Sequence, residues 1–328
     1  MTQTLAAAPT SGDGYFAIPT SLLLPDISGG FGIYLKNSKG FTLYAKAGEA
    51  FTPRHREQLH LHGVDAVYVT EAQRNVFIAH RETYLGKVLS DETIPLPERA
   101  KLFYDTSTEI VQEVFERKLP RNLQRATFDR VHALVSEGIS FLTLENSLKT
   151  VAALVAHDYN TYSHSLHVFV YSQALLQSYG FDEESLVQFG LGAMLHDIGK
   201  TFLDESILTK PGPLTPEERT EVFRHPVMGV GACARMPLTQ DAINCILFHH
   251  EKLDGTGYPC GLTADEIPLP VRAITIADIY DALTSNRPYA PAMNAFKVLR
   301  MMMNDMSTQI DRTMFRRFVL LLSGANLV

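Results

Sequence analysis

Cysteine is nearly missing from this 328-residue chain: Cys233, Cys245 and Cys260 are the whole supply. An odd number without ligand spacing argues against a disulfide framework and against a thiolate-bound structural zinc, and it fits a reducing cytosol. Runs of Lys and Arg are missing too, and the formal net charge is −7. A protein that coats DNA or RNA needs a basic face, so a long nucleic-acid partner is not expected. A small anionic ligand remains compatible with this charge, because bound metal ions invert the local field. No apolar run approaches the roughly 20 residues that span a bilayer. The opening Met1-Thr2-Gln3-Thr4-Leu5-Ala6 has neither the basic start nor the apolar core of a signal peptide. The expectation is a cytoplasmic protein with no membrane association.

What is present is ordinary for a globular chain, 45% apolar and 20% charged, and long enough for two domains. Residues 1–13 are small and polar and read as a flexible tail. Residues 14–90 read as a small α+β domain. Phe31–Lys36 and Phe41–Ala45 flank Asn37-Ser38-Lys39-Gly40 as a hairpin. Thr52-Pro53 opens a helix to about His62, and Asp65–Thr70 is a further strand. His55, His60 and His62 read as exposed helix residues. Residues 91–140 read as a helical connector entered through Pro95 and Pro97. Its Ile110, Val111, Val114 and Phe115 stripe fits either a homodimer contact or an intrachain core face. From 141 to 328 the pattern is almost wholly helical, with helices expected at 144–157, 162–179, 185–197, 216–225, 239–251, 270–285, 293–304 and 312–322. Thr215-Pro216-Glu217-Glu218 has the form of a capping box. The long irregular segments 201–214 and 252–269 are of the kind that usually carries function.

The chemistry concentrates in the helical part. His196-Asp197-Ile198-Gly199, followed by Lys200, closes one apolar helix. His249-His250-Glu251 closes another and runs into Asp254-Gly255-Thr256-Gly257-Tyr258-Pro259. His and Asp donors without Cys suit iron, manganese, cobalt or catalytic zinc, and the set reads as a metal site for phosphodiester cleavage. Taken alone, His196-Asp197 also fits a capped polar pair, and His249-His250 one core and one surface ring. Asp278 and Asp281 continue the Val271 and Ile274 stripe at helical spacing. Buried carboxylates are normally paired or metal-bound, so Asp278 is a functional candidate, and Asp281 either faces substrate or orients a neighbour. His225 precedes Pro226 at a forced helix end. His164 and His167, early in one helix, each fit a ligand or a surface residue. Lys200 and Arg287 fit phosphate contacts or surface ion pairs.

Several of these segments, in this order, resemble the HD-GYP subgroup of the HD phosphohydrolases: the Asp197 motif, His249-His250-Glu251, Asp254 to Pro259, Asp278-Ile279-Tyr280-Asp281-Ala282-Leu283, and Arg287-Pro288-Tyr289. Ile207 to Gly212 and Leu214-Thr215 are similar to that family as well, and the likeness covers about 150–320. It implies an all-α HD-type catalytic domain over 141–328, giving an α+β chain overall. The implied activity is that of a bacterial signalling hydrolase, a cyclic di-GMP phosphodiesterase forming pGpG or, by a second cut, GMP through a hydroxide shared between metals, iron or manganese. Carried over, the metal ligands are His164, His196, Asp197 as bridge, His225, His249, His250 and Asp278. Asp197 and Lys200 are the catalytic residues, and Lys200, Tyr258, Arg287 and Asp281 are set on the substrate.

The chain also departs from that pattern. Asn160 stands where trinuclear members carry Glu, so two divalent ions are expected. Lys252-Leu253 replaces the usual Arg-Trp, Ala290 replaces a common basic residue, and His167 stands where Arg or Asn is more usual. These departures leave two other readings: a low-turnover cyclic di-GMP receptor that docks a protein partner on the Gly257-Tyr258-Pro259 loop, or an HD hydrolase of another cyclic dinucleotide.

Overall fold

A computed structural model describes residues 14–20, 23, 27–116, 122–144, 146–155, 163–285 and 292–324. The expected 1–13 tail, Asn160, Arg287 and Ala290 lie outside the described residues. The chain divides into two units, Met1–Arg99 and Ala100–Val328, so the segment 91–140 belongs partly to each.

In the first unit, β1 (Tyr15–Pro19), β2 (Ile27–Ser28), β3 (Ile33–Asn37), β4 (Gly40–Ala45) and β5 (Ala50–Phe51) precede helix α1 (Pro53–Leu61). Strand β6 (Ala66–Thr70) and helices α2 (Arg74–Thr83) and α3 (Leu85–Ser90) follow. The four-stranded sheet has the order β1-β6-β3-β4, antiparallel throughout. The expected hairpin forms because Asn37 accepts the Lys39 amide at 2.8 Å, an Asx turn. Alternation along β6 buries Val67 and Val69, and the same face receives Leu59 from α1 and Phe77 from α2. Thr52 caps α1 with His55 in the place of the usual Glu: its ring Nδ1 accepts the Thr52 amide at 3.1 Å. His60 and His62 are exposed as expected, whereas His55 is half-buried. Helices α2 and α3 were not anticipated.

The second unit is helical. Its elements are α4 (Leu96–Glu116, which begins before the unit boundary), α5 (Arg125–Leu142), α6 (Ser147–Val155), α7 (His164–Gln177), α8 (Glu183–Leu195), α9 (Glu205–Leu208), α10 (Pro216–Val222), α11 (His225–Cys233), α12 (Gln240–Phe248), α13 (Leu269–Thr284), α14 (Ala295–Asp305) and α15 (Arg312–Gly324). Helix α7 is the axis. Leu166, Val168, Phe169, Val170, Leu175 and Leu176 bury its sides, and it packs on α8 and α13. A helix apolar all round must be enclosed, and this one is. Ile110, Val111 and Val114 of α4 are buried within the chain itself.

The capping box forms as read: Glu218 donates its amide to Thr215 Oγ1 and accepts the Thr215 amide at 2.7 Å. The expected helix 216–225 is not continuous. It ends at Val222, and α11 starts at His225 with Pro226 in its first turn. Proline disfavours helix in the residue before it, but it is also pre-shaped for a first turn, and the second effect wins here. No helix among the described residues is long and apolar enough to cross a membrane.

Phe169 is 1% exposed on the α7 axis. Phe169→Ala should therefore destabilise the helical unit by about 3–5 kcal/mol. A chemical-denaturation curve of the full chain checks this, and a change under 1 kcal/mol would contradict the enclosed axis.

Candidate metal centre

Helix ends build the site. His196 ends α8, and Asp197 opens the 3-10 turn Ile198–Phe202. His225 begins α11, His249 ends α12, His164 begins α7, and Asp278 lies inside α13. Gly199 lets these pieces meet, because a Cβ there would sit 1.9 Å from the His225 carbonyl oxygen and 2.7 Å from the Gly229 nitrogen. Thr275 ties α13 to α12 by donating to the His249 carbonyl at 2.8 Å.

Three of the imidazoles are set the same way. The Nδ1 atoms of His196, His225 and His249 face the carbonyl oxygens of Ala193, Val222 and Ile246 at 2.7, 2.7 and 2.9 Å. A carbonyl only accepts, so each Nδ1 carries the hydrogen and Nε2 is the ring atom left to bind a metal. Those Nε2 atoms converge. His225 Nε2 lies 3.1 Å from His249 Nε2 and 3.2 Å from Asp197 Oδ1. His196 Nε2, His164 Nε2 and Asp197 Oδ1 are buried and have no hydrogen-bond partner. The His164 nitrogen is 3.1 Å from Asp278 Oδ1 but lies off the hydrogen-bonding direction. Acceptors packed against acceptors repel and are costly to bury unsatisfied. A cation among them removes both penalties, so the donor set fits a divalent metal.

The donors fall into two groups: Asp197, His225, His249 and His250 in one, and His164, His196 and Asp278 in the other. Within each group the donor atoms lie within 4.8 Å of one another. Asp197 faces both. Its Oδ1 lies toward His225 and His249, while its Oδ2 is 3.5 Å from His196 Nε2 and 3.7 Å from His164 Nε2. All seven residues read as ligand candidates thus meet in one place.

Electrostatics prepares them for a metal. Burial alone would raise the Asp197 and Asp278 carboxyls, but Lys200 at Asp197 and His164 at Asp278 hold both well below the usual range. Burial lowers His249 strongly and His250 to about 3, so both rings are neutral at pH 7. His164 goes the other way: burial lowers it, but Asp278 and Asp281 overcome burial and raise it to about 9. Lys200 donates to Asp197 Oδ2 at 2.5 Å.

The substrate-side assignments fare differently. Asp281 does not face a substrate: it is 2% exposed, and its oxygens accept from His164 Nδ1 at 2.6 Å and His167 Nδ1 at 2.7 Å. Helical spacing puts it on the stripe but says nothing about which groups claim its oxygens. His167 is neither surface residue nor ligand candidate, being buried between Asp281 and Tyr104. Arg287 is outside the described residues.

Tyr258 lies against His250, with ring centroids 4.7 Å apart, and stacks on Phe223 at 4.0 Å and 11°. Sequence reasoning missed Phe223, because nothing in spacing links it to Tyr258. It also gave Glu251 no role. Glu251 is buried and accepts the amides of Cys260, Gly261 and Leu262, which anchors the loop. Gly257 lets that loop lie on the His250-Glu251 backbone, where a Cβ would come within 2.6 Å of the His250 oxygen.

Fold and site together define a helical domain built round a His/Asp metal centre. The HD domain family model matches residues 151–314. A cyclic di-GMP phosphodiesterase of Pseudomonas aeruginosa is 39% identical over 199 residues, covering 58% of this chain and 47% of the relative. The 3'3'-cGAMP-specific phosphodiesterase 3 of Vibrio cholerae is 38% identical over 155 residues, covering 47% of this chain and 34% of the relative. The chain thus spans less than half the length of these curated relatives. The solved structure of an HDG"Y"P protein from Bdellovibrio bacteriovorus covers 94% of this chain and all of its own, with a TM-score of 0.63 at 22% identity, a likeness of fold. The chain belongs to the HD domain family, and to its HD-GYP group.

His164 carries a proton at pH 7 that a metal must displace. Mn2+ binding to metal-free protein should therefore release about one proton from this ring, with affinity rising about tenfold per pH unit until pH nears 9. Calorimetry in buffers of different ionisation enthalpy measures the release. Buffer-independent heats would remove His164 from the ligand set.

Proposed function

We propose that this chain is a metal-dependent phosphodiesterase that opens cyclic di-GMP to pGpG. The observation that carries the reading is the convergence of seven donors into two groups, with Asp197 facing both, in a domain similar to a protein named a cyclic di-GMP phosphodiesterase. In this reading His225, His249, His250 and Asp197 would hold one divalent ion, and His164, His196 and Asp278, beside Asp197, the other; the family resemblance makes iron or manganese the expected metal. Bound ions supply Lewis acidity toward a phosphoryl oxygen and toward water.

The chain's own residues do the rest. Asp197, kept ionised by Lys200, faces both groups. Lys200, whose side chain is 28% exposed, offers its ammonium to the negative charge that develops on the phosphate. The Tyr258 ring, seated on His250 and backed by Phe223, gives the substrate a flat apolar wall at the centre's edge, and Arg287 adds a cation toward a phosphate. None of the clustered donors comes from the N-terminal α+β unit, which we read as regulatory.

The test is hydrolysis of cyclic di-GMP by full-length protein purified without oxygen, with metal counted on the same sample. Turnover with about two ions per chain is expected. Asp197→Ala should lower kcat by at least about a thousandfold. Full activity in that variant would sink the assignment, and loaded protein that binds the nucleotide uncut would make it a receptor. Because a relative of nearly equal identity is specific for 3'3'-cGAMP, the two cyclic dinucleotides belong in one competition assay.

A further inference from the structure

We infer that His167 and Tyr104 are positioning residues for this metal centre, acting through Asp281 on His164. The inference rests on the functional reading above. His167 lies one helical turn after His164 on α7, so the two rings leave the helix on the same side. Their Nδ1 atoms approach different oxygens of one carboxylate, Asp281, at 2.6 Å for His164 and 2.7 Å for His167. An ionised carboxylate only accepts, so both nitrogens carry hydrogen. His167 Nε2 faces the Tyr104 hydroxyl at 3.2 Å. Hydrogen bonds therefore link Tyr104, His167 and Asp281 in one chain, with His164 donating to Asp281 from the far side.

Packing alone does not call for this arrangement. His167 on α7 is 1% exposed and Asp281 on α13 is 2% exposed, and an apolar side chain would fill the place of His167 without desolvating a polar ring. His167 is not a ligand itself, since one nitrogen goes to Asp281 and the other to Tyr104. What it does is claim the second oxygen of Asp281. A carboxylate held at one oxygen by His164 and touched at the other only by Ser285 Oγ, at 3.1 Å, can turn about its χ2 bond, and the His164 ring turns with it. Held at both oxygens, Asp281 fixes the orientation of the His164 ring and aims its Nε2 at Asp278 and Asp197. The effect therefore falls on the donor group of His164, His196 and Asp278, and leaves that of His225, His249 and His250 alone.

The experiment is Mn2+ binding to the metal-free full-length chain over buffered free-metal concentrations, with the thermal midpoint of each metal-free variant recorded. His167→Phe should weaken one of the two binding steps by about 10- to 100-fold and leave the other unchanged. His167→Asn can still donate to Asp281 and should recover most of that loss. Tyr104→Phe should produce a smaller loss in the same step. Unchanged affinity in His167→Phe with a wild-type midpoint would overturn the inference, as would His167→Asn binding no better than His167→Phe. Should His167→Phe fail to fold, wild-type affinity in both His167→Asn and Tyr104→Phe would overturn it. A wild-type chain that binds no Mn2+ would defeat the functional reading and this inference together. A wild-type chain that binds two ions beside indifferent variants would defeat the inference alone.

Discussion

A single buried carboxylate, Asp197, sets the conditions for everything round it. It is 6% exposed, it is held ionised by Lys200, and each of its oxygens looks into a different group of imidazoles. An unpaired charge in such a place is among the most expensive features a fold can carry. The surrounding chain meets that cost with cations and with donors, and the donor atoms that remain bare are those a divalent ion would take. The approach of the 3-10 turn to α11 at Gly199 and the tie of Thr275 to the end of α12 follow from it. Both bring a helix end within reach of this carboxylate.

The recurrence of one local device explains why histidines at helix ends supply most of the donors. A helix terminus leaves backbone carbonyls without amide partners. At His196, His225 and His249 the ring hydrogen bonds back to the carbonyl three residues earlier, satisfying one of those orphans. The same bond selects the tautomer with a bare Nε2 and directs it off the end of the helix. Local helix energetics and the chemistry of metal binding therefore ask for the same ring orientation, and no separate scaffold is needed to aim these side chains.

Much of this was legible in the chain. The His-Asp and His-His pairs fall at the ends of apolar runs, and Asp278 falls on an apolar stripe where a solvated carboxylate has no reason to be. The Asn37–Gly40 hairpin and the Thr215 capping box follow from local chemistry alone. What failed needed tertiary information. Pro226 gave the same sign for a helix ending at His225 and for one beginning there. Spacing put Asp281 on the buried stripe but could not say that two imidazoles take its oxygens. Tyr104, Phe223 and Glu251 acquire roles only because distant segments lie against them: α7 against Tyr104, Tyr258 against Phe223, and the Cys260–Leu262 amides against Glu251.

The charge balance of the cluster accounts for the odd behaviour of His164. The centre holds the carboxylates of Asp197 and Asp278, with that of Asp281 directly behind His164. Burial forces His249 and His250 to stay neutral, so the compensating positive charge must come from elsewhere. Lys200 supplies it at Asp197. Beside Asp278 the ring between that carboxylate and Asp281 is His164, and it takes up a proton although burial opposes it. Proton and metal ion are thus alternative answers to the same excess of negative charge. With the proton, the carboxylates stay apart from one another and the helices keep their places. A divalent ion held by the same donors would put a stronger positive charge among these carboxylates than the proton does, so a protonated His164 keeps the cluster together in the absence of metal.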